Sequence, residues 1–273
     1  MVYSTIRAPT LSAIALTATT VGGAVGVATY FWLKRKVRDS DNFVPVGHLT
    51  NIVIHPIKSI AGVEVPYADC TVAGPVYRGL KDRVRKFSYK ANEVSEEASD
   101  WFRNYLKHDD VRLARVVLDR ETIIPSKNGA APVAFQDESS FHVLSKASLD
   151  GLLSKLPADS DIQQRNFRPT LFIDGCEAHA EDHWRRFRIS GAEMEFLSRT
   201  PRCILTTVDQ DTGIRTDKEP LVTLRKYRID RTEEGVKKYE LQPLFGVGAL
   251  PIRDGRITVG DEVYALLSPN SLL

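Results

Sequence analysis

The sequence predicts an α+β fold that is β-rich and barrel-like, preceded by one N-terminal transmembrane helix. Three observations support this prediction. A long uncharged apolar run lies near the N-terminus, many short segments of β-branched residues with alternating polarity follow it, and only a few segments repeat apolar residues at helical spacing. With 273 residues, 42% of them apolar and 26% charged, the chain can bury a large core, and its composition argues against bulk disorder and against a polytopic membrane protein.

The N-terminal run Leu11–Leu33 is long enough to span a bilayer as a helix, because its 23 residues are mostly apolar or small and none is charged. Basic residues cluster in 34–38, whereas only Arg7 precedes the run, so the positive-inside rule places the C-terminal part on the cytosolic side. A cleaved secretory signal would end in a small-residue cleavage site, and a matrix presequence would carry more arginine. We therefore expect a short tail at 1–10, a signal anchor at 11–33 and a basic, polar linker at 34–45.

The first elements after the linker alternate between strand and helix. His48–Ile54 and Val63–Ala73 have the β-branched content and alternation of strands, and the turn region Pro56–Gly62 separates them. Glu93–Leu106 repeats apolar residues at helical spacing and carries acidic residues in its first turns, which favours an amphipathic helix. Val111–Leu118 returns to strand character.

Strands dominate the second half of the chain. Asp119–Glu138 has the composition of a long loop, Phe141–Leu156 repeats apolar residues at helical spacing, and a short helix is predicted near Leu221–Tyr227. The remaining segments predict strands at Pro169–Ile173, Arg186–Ile189, Glu193–Leu197, Cys203–Val208, Leu244–Leu250 and Arg256–Leu266. Many short strands with a few helices favour a barrel-like α+β fold.

Net charge and cysteine content exclude several classes of function. The formal net charge is +2, and no basic stretch is interleaved with aromatic residues, so we expect no nucleic-acid surface. Cys70, Cys176 and Cys203 are odd in number and far apart, without a CxxC spacing, which argues against a disulfide framework and a structural zinc site and fits a reducing compartment. Any of them could simply be a small buried residue.

Cys203 has the most reactive setting of the three. It lies between Pro201 and an apolar β-type run, with Arg202 beside it. A neighbouring positive charge favours the thiolate, the form that binds soft metals or attacks electrophiles. From these residues alone, a metal ligand, a nucleophile and a buried strand residue all remain open.

A few other polar residues could form ligand sites. Lys58 and Ser59 lie in the turn between the first two strands and Arg168 precedes a strand, so they could bind a phosphate, although solvated cations are the commoner explanation. His179 and His183 have a spacing compatible with zinc on a helix, but the hydrolytic zinc motif is incomplete and a polar surface turn is favoured. The sequence contains neither a glycine-rich phosphate loop nor a nucleophile elbow.

A series of short motifs, taken in order, resembles the MOSC-domain family and within it the mitochondrial amidoxime reducing components. The resemblance extends from about Val46 to Leu266, and the run from Arg202 to Asp209 is its most specific part. The motifs are Ile54-His-Pro-Ile-Lys58-Ser59, Leu80-Lys-Asp-Arg83, Leu144-Ser-Lys-Ala-Ser-Leu149, Asn166-Phe-Arg-Pro169, Ala180-Glu-Asp182-x-Trp184, Arg202-Cys-Ile-Leu-Thr-Thr-Val-Asp209-x-Asp-Thr-Gly213, Pro220-Leu-x-Thr-Leu224, Pro243-Leu-Phe-Gly246 and Val259-Gly-Asp261.

The resemblance implies a MOSC β-barrel domain at 121–268 behind an N-terminal MOSC subdomain at 46–120. We expect that subdomain to be shortened, because roughly fifty residues of the family's β-rich stretch after Arg83 have no counterpart here. Cys203 takes the position of the catalytic metal ligand, which binds molybdenum together with a pterin dithiolene. The positions that contact the cofactor in the family are Lys58, Ser59, Arg83, Ser139, Arg168, Arg202 and Cys203.

The resemblance also implies an activity. Family members are molybdenum-dependent oxidoreductases that reduce N-hydroxylated compounds, such as amidoximes and hydroxylamines, with electrons from NADH passed through cytochrome b5 reductase and cytochrome b5. The chain is then expected to bind Mo-molybdopterin and to have no nicotinamide or pyridoxal-phosphate site of its own. The alternative is a MOSC module that binds or carries the cofactor without turnover.

The resemblance and the anchor together favour a single-pass protein of the mitochondrial outer membrane whose C-terminal domain faces the cytosol. Another cytosol-facing membrane, such as the endoplasmic reticulum, is the alternative, because the apolar run is only moderately hydrophobic.

Overall fold

A computed structural model describes residues 42–57, 60–71, 74–77, 80–81, 91–116, 123–126, 129–132, 139–215 and 218–268. The predicted membrane anchor at 11–33 lies outside these residues, as do the predicted cofactor contacts Lys58, Ser59 and Arg83. Within the described ranges, no helix has both the length and the apolar character needed to cross a membrane.

Strands dominate the described part of the chain, and the helices are short. The strands are β1 (Val44–Ile54), β2 (Val63–Val65), β3 (Tyr67–Thr71), β4 (Gly74–Tyr77), β5 (Leu80–Lys81), β6 (Ala91–Glu93), β7 (Ala114–Val116), β8 (Ile123–Ser126), β9 (Gly129–Pro132), β10 (Phe141–Ser145), β11 (Leu171–Asp174), β12 (Trp184–Ile189), β13 (Ala192–Pro201), β14 (Leu244–Arg253), β15 (Gly255–Thr258) and β16 (Glu262–Leu267). The helices are α1 (Glu96–Leu106), α2 (Lys146–Leu153), α3 (Gln164–Phe167), α4 (Leu221–Tyr227) and α5 (Glu233–Tyr239), with 3-10 helices at Ala180–His183 and Ile204–Thr207.

Seven strands form a closed barrel. Their order is β11-β10-β14-β13-β12-β16-β1, and β1 pairs with β11 to close the ring. β10 and β11 run parallel, whereas the other neighbours in the barrel are antiparallel. β2 pairs with the end of β1, and β15-β3-β4-β5 form a separate four-stranded sheet. The barrel therefore combines β1, from the predicted N-terminal subdomain, with strands of the C-terminal domain.

Burial of apolar side chains explains why these segments form a barrel. The fully buried side chains include Leu49, Ile52 and Ile54 of β1 and Val263 of β16, and Phe187 of β12 is only 1% exposed. They belong to one apolar cluster that fills the barrel. Full burial of such a side chain stabilises the fold by about 1.5–3 kcal/mol.

A second apolar cluster lies beneath the helices. Leu152 of α2 and Leu224 of α4 pack in one cluster with Phe167 of α3 and Phe245 of β14. The rings of Phe167 and Phe245 have their centroids 4.7 Å apart. This cluster fixes the backbone of two residues whose carbonyl groups contribute to the site described below.

The β-rich, barrel-like class is confirmed, but the single helix predicted at Phe141–Leu156 is wrong. Its first five residues form β10, and α2 begins at Lys146. The hydroxyl of Ser145 caps that helix by accepting a hydrogen bond from the backbone N–H of Ser148 at 3.1 Å. The predicted loop at 119–138 is also wrong in part, because β8 and β9 form a hairpin within it.

The predicted strand Cys203–Val208 is wrong as well. Ile204–Thr207 forms a 3-10 helix, in which the hydroxyl of Thr206 donates to the carbonyl of Cys203 at 3.0 Å and that of Thr207 to the carbonyl of Ile204 at 2.8 Å. Threonine has a high β-propensity, but here its hydroxyl groups satisfy local carbonyls in place of a sheet ladder.

Helix α1 was predicted within three residues of its observed start. It begins at Glu96 because Ser95 is the N-cap and accepts from the backbone N–H of Ala98 at 3.1 Å. Its predicted apolar face does not enter the core, since Trp101 is 57% exposed and Tyr105 is 70% exposed.

Candidate functional site

Cys203 is presented at the end of barrel strand β13. The strand ends at Pro201, and the backbone N–H of Arg202 still donates to the carbonyl of Pro243 at 2.8 Å. Cys203 follows in extended conformation and precedes the 3-10 helix. It is exposed, whereas Cys70 is buried and Cys176 is half-buried. Of the three cysteines, Cys203 is the one open to a ligand.

The other two cysteines hold their protons more firmly than an ordinary thiol does. Burial, followed by the nearby carboxylates Asp69 and Asp254, raises the pKa of Cys70 to about 12. Burial, followed by the charge of Glu181, raises the pKa of Cys176 to about 11. Both side chains therefore remain thiols, and a soft-metal site requires a thiolate.

Asn166 holds the turn that follows Cys203. Its side chain is buried, and Nδ2 donates to the carbonyl of Thr206 at 3.2 Å and to that of Val208 at 3.3 Å. Its Oδ1 accepts from the backbone N–H of Gln163 at 3.0 Å, so the same side chain also caps α3. Asn166 thus joins the end of α3 to the segment that carries the exposed thiol.

Arg202, directly before the cysteine, is buried and donates to backbone carbonyls. Nε donates to the carbonyl of Phe245 at 2.8 Å, Nη1 donates to the carbonyl of Phe167 at 3.0 Å, and Nη2 contacts both the carbonyl of Phe245 and Nε2 of His142. The Phe167 ring centroid lies 5.6 Å from the guanidinium carbon. Carbonyl dipoles stabilise a buried cation, so Arg202 ties β13 to β14, α3 and β10 next to Cys203.

Arg168 lies at the opposite side of the same network. It ends α3 in the left-handed conformation, with φ of 52°, and its Nη1 donates to the carbonyl of Ile60 at 2.7 Å. Burial and the positive charge of Arg168 lower the pKa of His55 to about 3, so His55 is neutral near pH 7. Arg168 therefore contacts Ile60 and acts on His55, whereas Lys58 and Ser59, which were predicted to bind a phosphate, lie outside the described residues.

His142 of β10 lies between these two arginines, and it was not singled out from the sequence. Its Nδ1 is 3.3 Å from the carbonyl of Arg168, and its Nε2 contacts the guanidinium of Arg202. Gly246 of β14 leaves space for the ring: a Cβ there would lie 2.5 Å from Nε2. The sequence signal that could have identified this position is Ser145, which caps the helix that follows. A helix start at Ser145 leaves His142 in the preceding strand.

Ser139 lies two residues before the same strand. Its Oγ donates to the carbonyl of Phe141 at 2.9 Å. A Cβ added to Gly248, the partner of His142 across β10 and β14, would lie 2.7 Å from that Oγ. The structure therefore brings Arg168 and Arg202 to His142 and places Ser139 beside Gly248, the cross-strand partner of His142, while Cys203 is the neighbour of Arg202.

The alternative zinc site at His179 and His183 is not supported. His179 has φ of 64° and precedes the 3-10 helix Ala180–His183, so the two histidines do not share an α-helical face. The described parts of the chain contain no group of three or more His, Cys, Asp or Glu side chains that could hold a metal ion.

Comparison with known proteins identifies the family of the chain. The MOSC domain model matches residues 130–264. The mouse protein "Mitochondrial amidoxime-reducing component 1" is 30% identical over 310 residues, covering 89% of this chain and 89% of that protein. The chain belongs to the mitochondrial amidoxime-reducing component family of MOSC-domain proteins. The bovine "Mitochondrial amidoxime reducing component 2" is 30% identical over 81% of this chain and 84% of that protein, and the human component 1 is 28% identical over 94% of this chain and 92% of that protein.

Within this family of amidoxime-reducing components, the present chain is short. Its alignment with the mouse protein is 310 positions long, which exceeds the 273 residues of the chain, so the relative contains segments without a counterpart here. The MOSC match nevertheless includes Ser139, Arg168, Arg202 and Cys203. Among solved structures, the YUAD protein from Bacillus subtilis has a TM-score of 0.43 at 11% identity, covering 82% of this chain and 99% of that chain, a likeness too weak for further comparison.

Proposed function

We propose that this protein is a molybdenum-cofactor oxidoreductase that reduces N-hydroxylated compounds, with Cys203 as the protein ligand to molybdenum. The observation that carries the proposal is the presentation of Cys203: an exposed thiol at the end of a barrel strand, held on one side by the buried Arg202 and on the other by Asn166. The names of the relatives, which describe amidoxime reduction, supply the substrate class.

The described residues fit the cofactor by the chemistry of their donor groups. A thiolate is a soft donor that suits molybdenum, and a single cysteine leaves the other positions for the pterin dithiolene. Arg168 and Ser139 supply a cation and a hydroxyl near the same network, which suit an anionic pterin phosphate. We propose that Lys58, Ser59 and Arg83 complete this set. When bound, the molybdenum cofactor would supply the two-electron chemistry that converts N–OH to N–H with release of water.

The residues around Cys203 would keep the thiolate in one place during turnover. Arg202 makes hydrogen bonds to two carbonyls and to His142, so its side chain is fixed directly before the cysteine. The buried hydroxyls and the Asn166 amide fix the carbonyls on the other side. These contacts orient the ligand before the cofactor arrives, which reduces the ordering cost of binding.

We further propose that electrons come from NADH through cytochrome b5 reductase and cytochrome b5. We place the protein at the mitochondrial outer membrane, held by residues 11–33 with its C-terminal domain in the cytosol. The mitochondrial location follows the names of the relatives, and the anchor follows the apolar run in the sequence.

The proposal is tested with protein purified from cells that make the cofactor. Molybdenum and pterin are measured, and benzamidoxime reduction is assayed with NADH, cytochrome b5 and its reductase. Cys203→Ala should lose both molybdenum and turnover, whereas the matched control Cys176→Ala, at a half-buried thiol, should keep both. Wild-type protein without molybdenum would refute the proposal, and retention of molybdenum by Cys203→Ala would refute the ligand role.

A carrier of the cofactor without turnover is the second candidate, and one observation favours it. The relatives contain segments that this chain lacks, since the alignment is longer than the chain itself. If such a segment is needed to bind the N-hydroxylated substrate, the protein would bind cofactor and reduce nothing, whatever the electron donor. Molybdenum at about one per chain together with no reduction, even by a chemical electron donor such as dithionite, would support the carrier.

A further inference from the structure

The contacts of His142 determine which nitrogen of its ring carries the proton. Nδ1 faces the carbonyl oxygen of Arg168 at 3.3 Å, and a carbonyl can only accept a hydrogen bond. Nε2 faces Nη2 of Arg202, and a guanidinium can only donate. Both contacts are satisfied at once by the neutral ring with its proton on Nδ1. The Phe245 carbonyl, which also contacts the ring, already accepts from Nε and Nη2 of Arg202.

The surroundings of the ring also disfavour a second proton. Desolvation by the enclosing protein and then the charge of Arg202 lower the pKa of His142 well below its usual value, and they outweigh the opposing contacts with the carbonyls of Arg168 and Phe245. The ring is therefore neutral near pH 7, and Nε2 keeps the lone pair that accepts from Arg202.

The neutral ring connects the two arginines that the family resemblance places at the cofactor. Through Nδ1 it restrains the left-handed residue Arg168, and through Nε2 it holds the guanidinium whose other hydrogen bonds go to Phe167 and Phe245. Arg202 directly precedes Cys203, so a shift of its side chain would be passed to the exposed thiol through one peptide bond.

We infer that His142 is a positioning residue. As the Nδ1–H tautomer it holds Arg168 and Arg202 in fixed positions relative to each other and thereby sets the position of the Cys203 thiol. His142 acts through Arg202 and does not itself ligate the metal. The consequence for molybdenum rests on the proposed function, whereas the positions of Arg202 and Cys203 can be tested in protein without cofactor.

Three substitutions separate the two contacts. His142→Gln can present an amide oxygen near the position of Nε2 and so keep an acceptor for Arg202. His142→Asn can present an amide N–H near the position of Nδ1 and keep the donor to the Arg168 carbonyl. His142→Leu removes both. His179→Leu is the control, because His179 is also partly buried with a lowered pKa and its ring packs against Tyr227 and Phe245, but it forms no hydrogen bond with Arg168 or Arg202.

The first readout is the rate at which iodoacetamide alkylates Cys203 in cofactor-free protein, followed by mass spectrometry of the 203-containing peptide. Loss of a charge-assisted hydrogen bond in a buried site changes the equilibrium between the fixed and the displaced position of the Arg202 side chain by about tenfold. His142→Leu should therefore change the alkylation rate by about three- to tenfold, while His142→Gln and His179→Leu should stay within about twofold of wild type. Equal rates in His142→Leu and His179→Leu would overturn the inference.

The second readout is the tautomer itself. Nitrogen NMR of ring-labelled wild-type protein at pH 7 should show a protonated Nδ1 and an unprotonated Nε2 for the one histidine whose signals disappear in His142→Gln. An Nε2–H tautomer or an imidazolium would overturn the inference, and this measurement stands even if His142→Leu fails to fold.

The third readout is cofactor retention. In protein made with cofactor, His142→Leu should lose about tenfold in molybdenum per chain after gel filtration, and His142→Gln should retain most of it. Absence of molybdenum in the wild type would refute the proposed function and leave the alkylation and NMR results to decide the role of His142. Full retention in a folded His142→Leu protein would overturn the positioning role.

Discussion

Replacement of Gly246 by alanine tests the close approach of β14 to His142. Gly246 has φ of +74°, and an added Cβ would lie 2.5 Å from Nε2 of His142 and 2.7 Å from the carbonyl oxygen of Val143. The left-handed conformation costs an alanine about 1 kcal/mol, and overpacking against a backbone oxygen adds about 1–3 kcal/mol. We expect Gly246→Ala to lower the free energy of unfolding by roughly 2–4 kcal/mol.

Gly213 offers a matched control for this prediction. Its φ of +70° is nearly the same, but nothing lies within 4 Å of a Cβ added there. Gly213→Ala should therefore cost the backbone contribution alone, about 1 kcal/mol. Urea unfolding monitored by tryptophan fluorescence measures both variants. Equal losses would show that His142 and Val143 can move away from a methyl group, and the reasoning about a tightly packed ring would then be refuted.

Three further predictions concern the buried polar contacts. Asn166→Leu removes two hydrogen bonds to the turn after the cysteine, so we expect a loss of about 2–3 kcal/mol in unfolding free energy and faster hydrogen exchange at 204–208; unchanged exchange would contradict this role. Asp230→Asn should cost about 3–5 kcal/mol, because its partner at 2.6 Å, Arg199, would remain as an unpaired buried charge. A second substitution, Arg199→Leu, should recover part of that loss in thermal unfolding, and no recovery would argue against the ion pair. The pKa of His142 is lowered in the folded protein, so as the pH falls the histidine of the unfolded chain takes up a proton first. The free energy of unfolding of the wild type should therefore fall by about 1 kcal/mol relative to that of His142→Gln between about pH 6.5 and 5.5. Parallel curves of unfolding free energy against pH would contradict a neutral ring.

The strands of the barrel could be predicted because their burial alternates or is continuous along the chain. Leu49, Ile52 and Ile54 gave β1 a recognisable strand pattern, and the structure buries all three. Boundaries were harder to predict where a side chain satisfies a backbone group. Ser145 ends β10 and caps α2 with one hydroxyl, which a search for apolar periodicity does not detect.

The chemistry of the site was predictable only as residue types. Arg168, Arg202 and Cys203 were identified through family motifs, but the sequence could not show that Arg202 is buried against the carbonyls of Phe167 and Phe245. His142 stands alone in its segment, without a motif or a spacing that points to chemistry. Its role depends on the parallel pairing of β10 with β11 and on a glycine in β14, and both are contacts between residues distant in sequence.

The barrel is complete even though the chain lacks segments that its relatives contain. The alignment with the mouse relative is longer than the chain, yet the seven barrel strands pair in a complete ring from β1 to β16. The segments that this chain lacks therefore include no strand that the barrel needs for closure. The residues that hold Cys203, namely Asn166, His142 and Arg202, all lie on or beside that ring. A failure of turnover would then point to electron delivery or to the segments outside the described residues, which include Lys58 and Arg83. Alkylation of Cys203 in cofactor-free protein would still report whether this end of the barrel is intact.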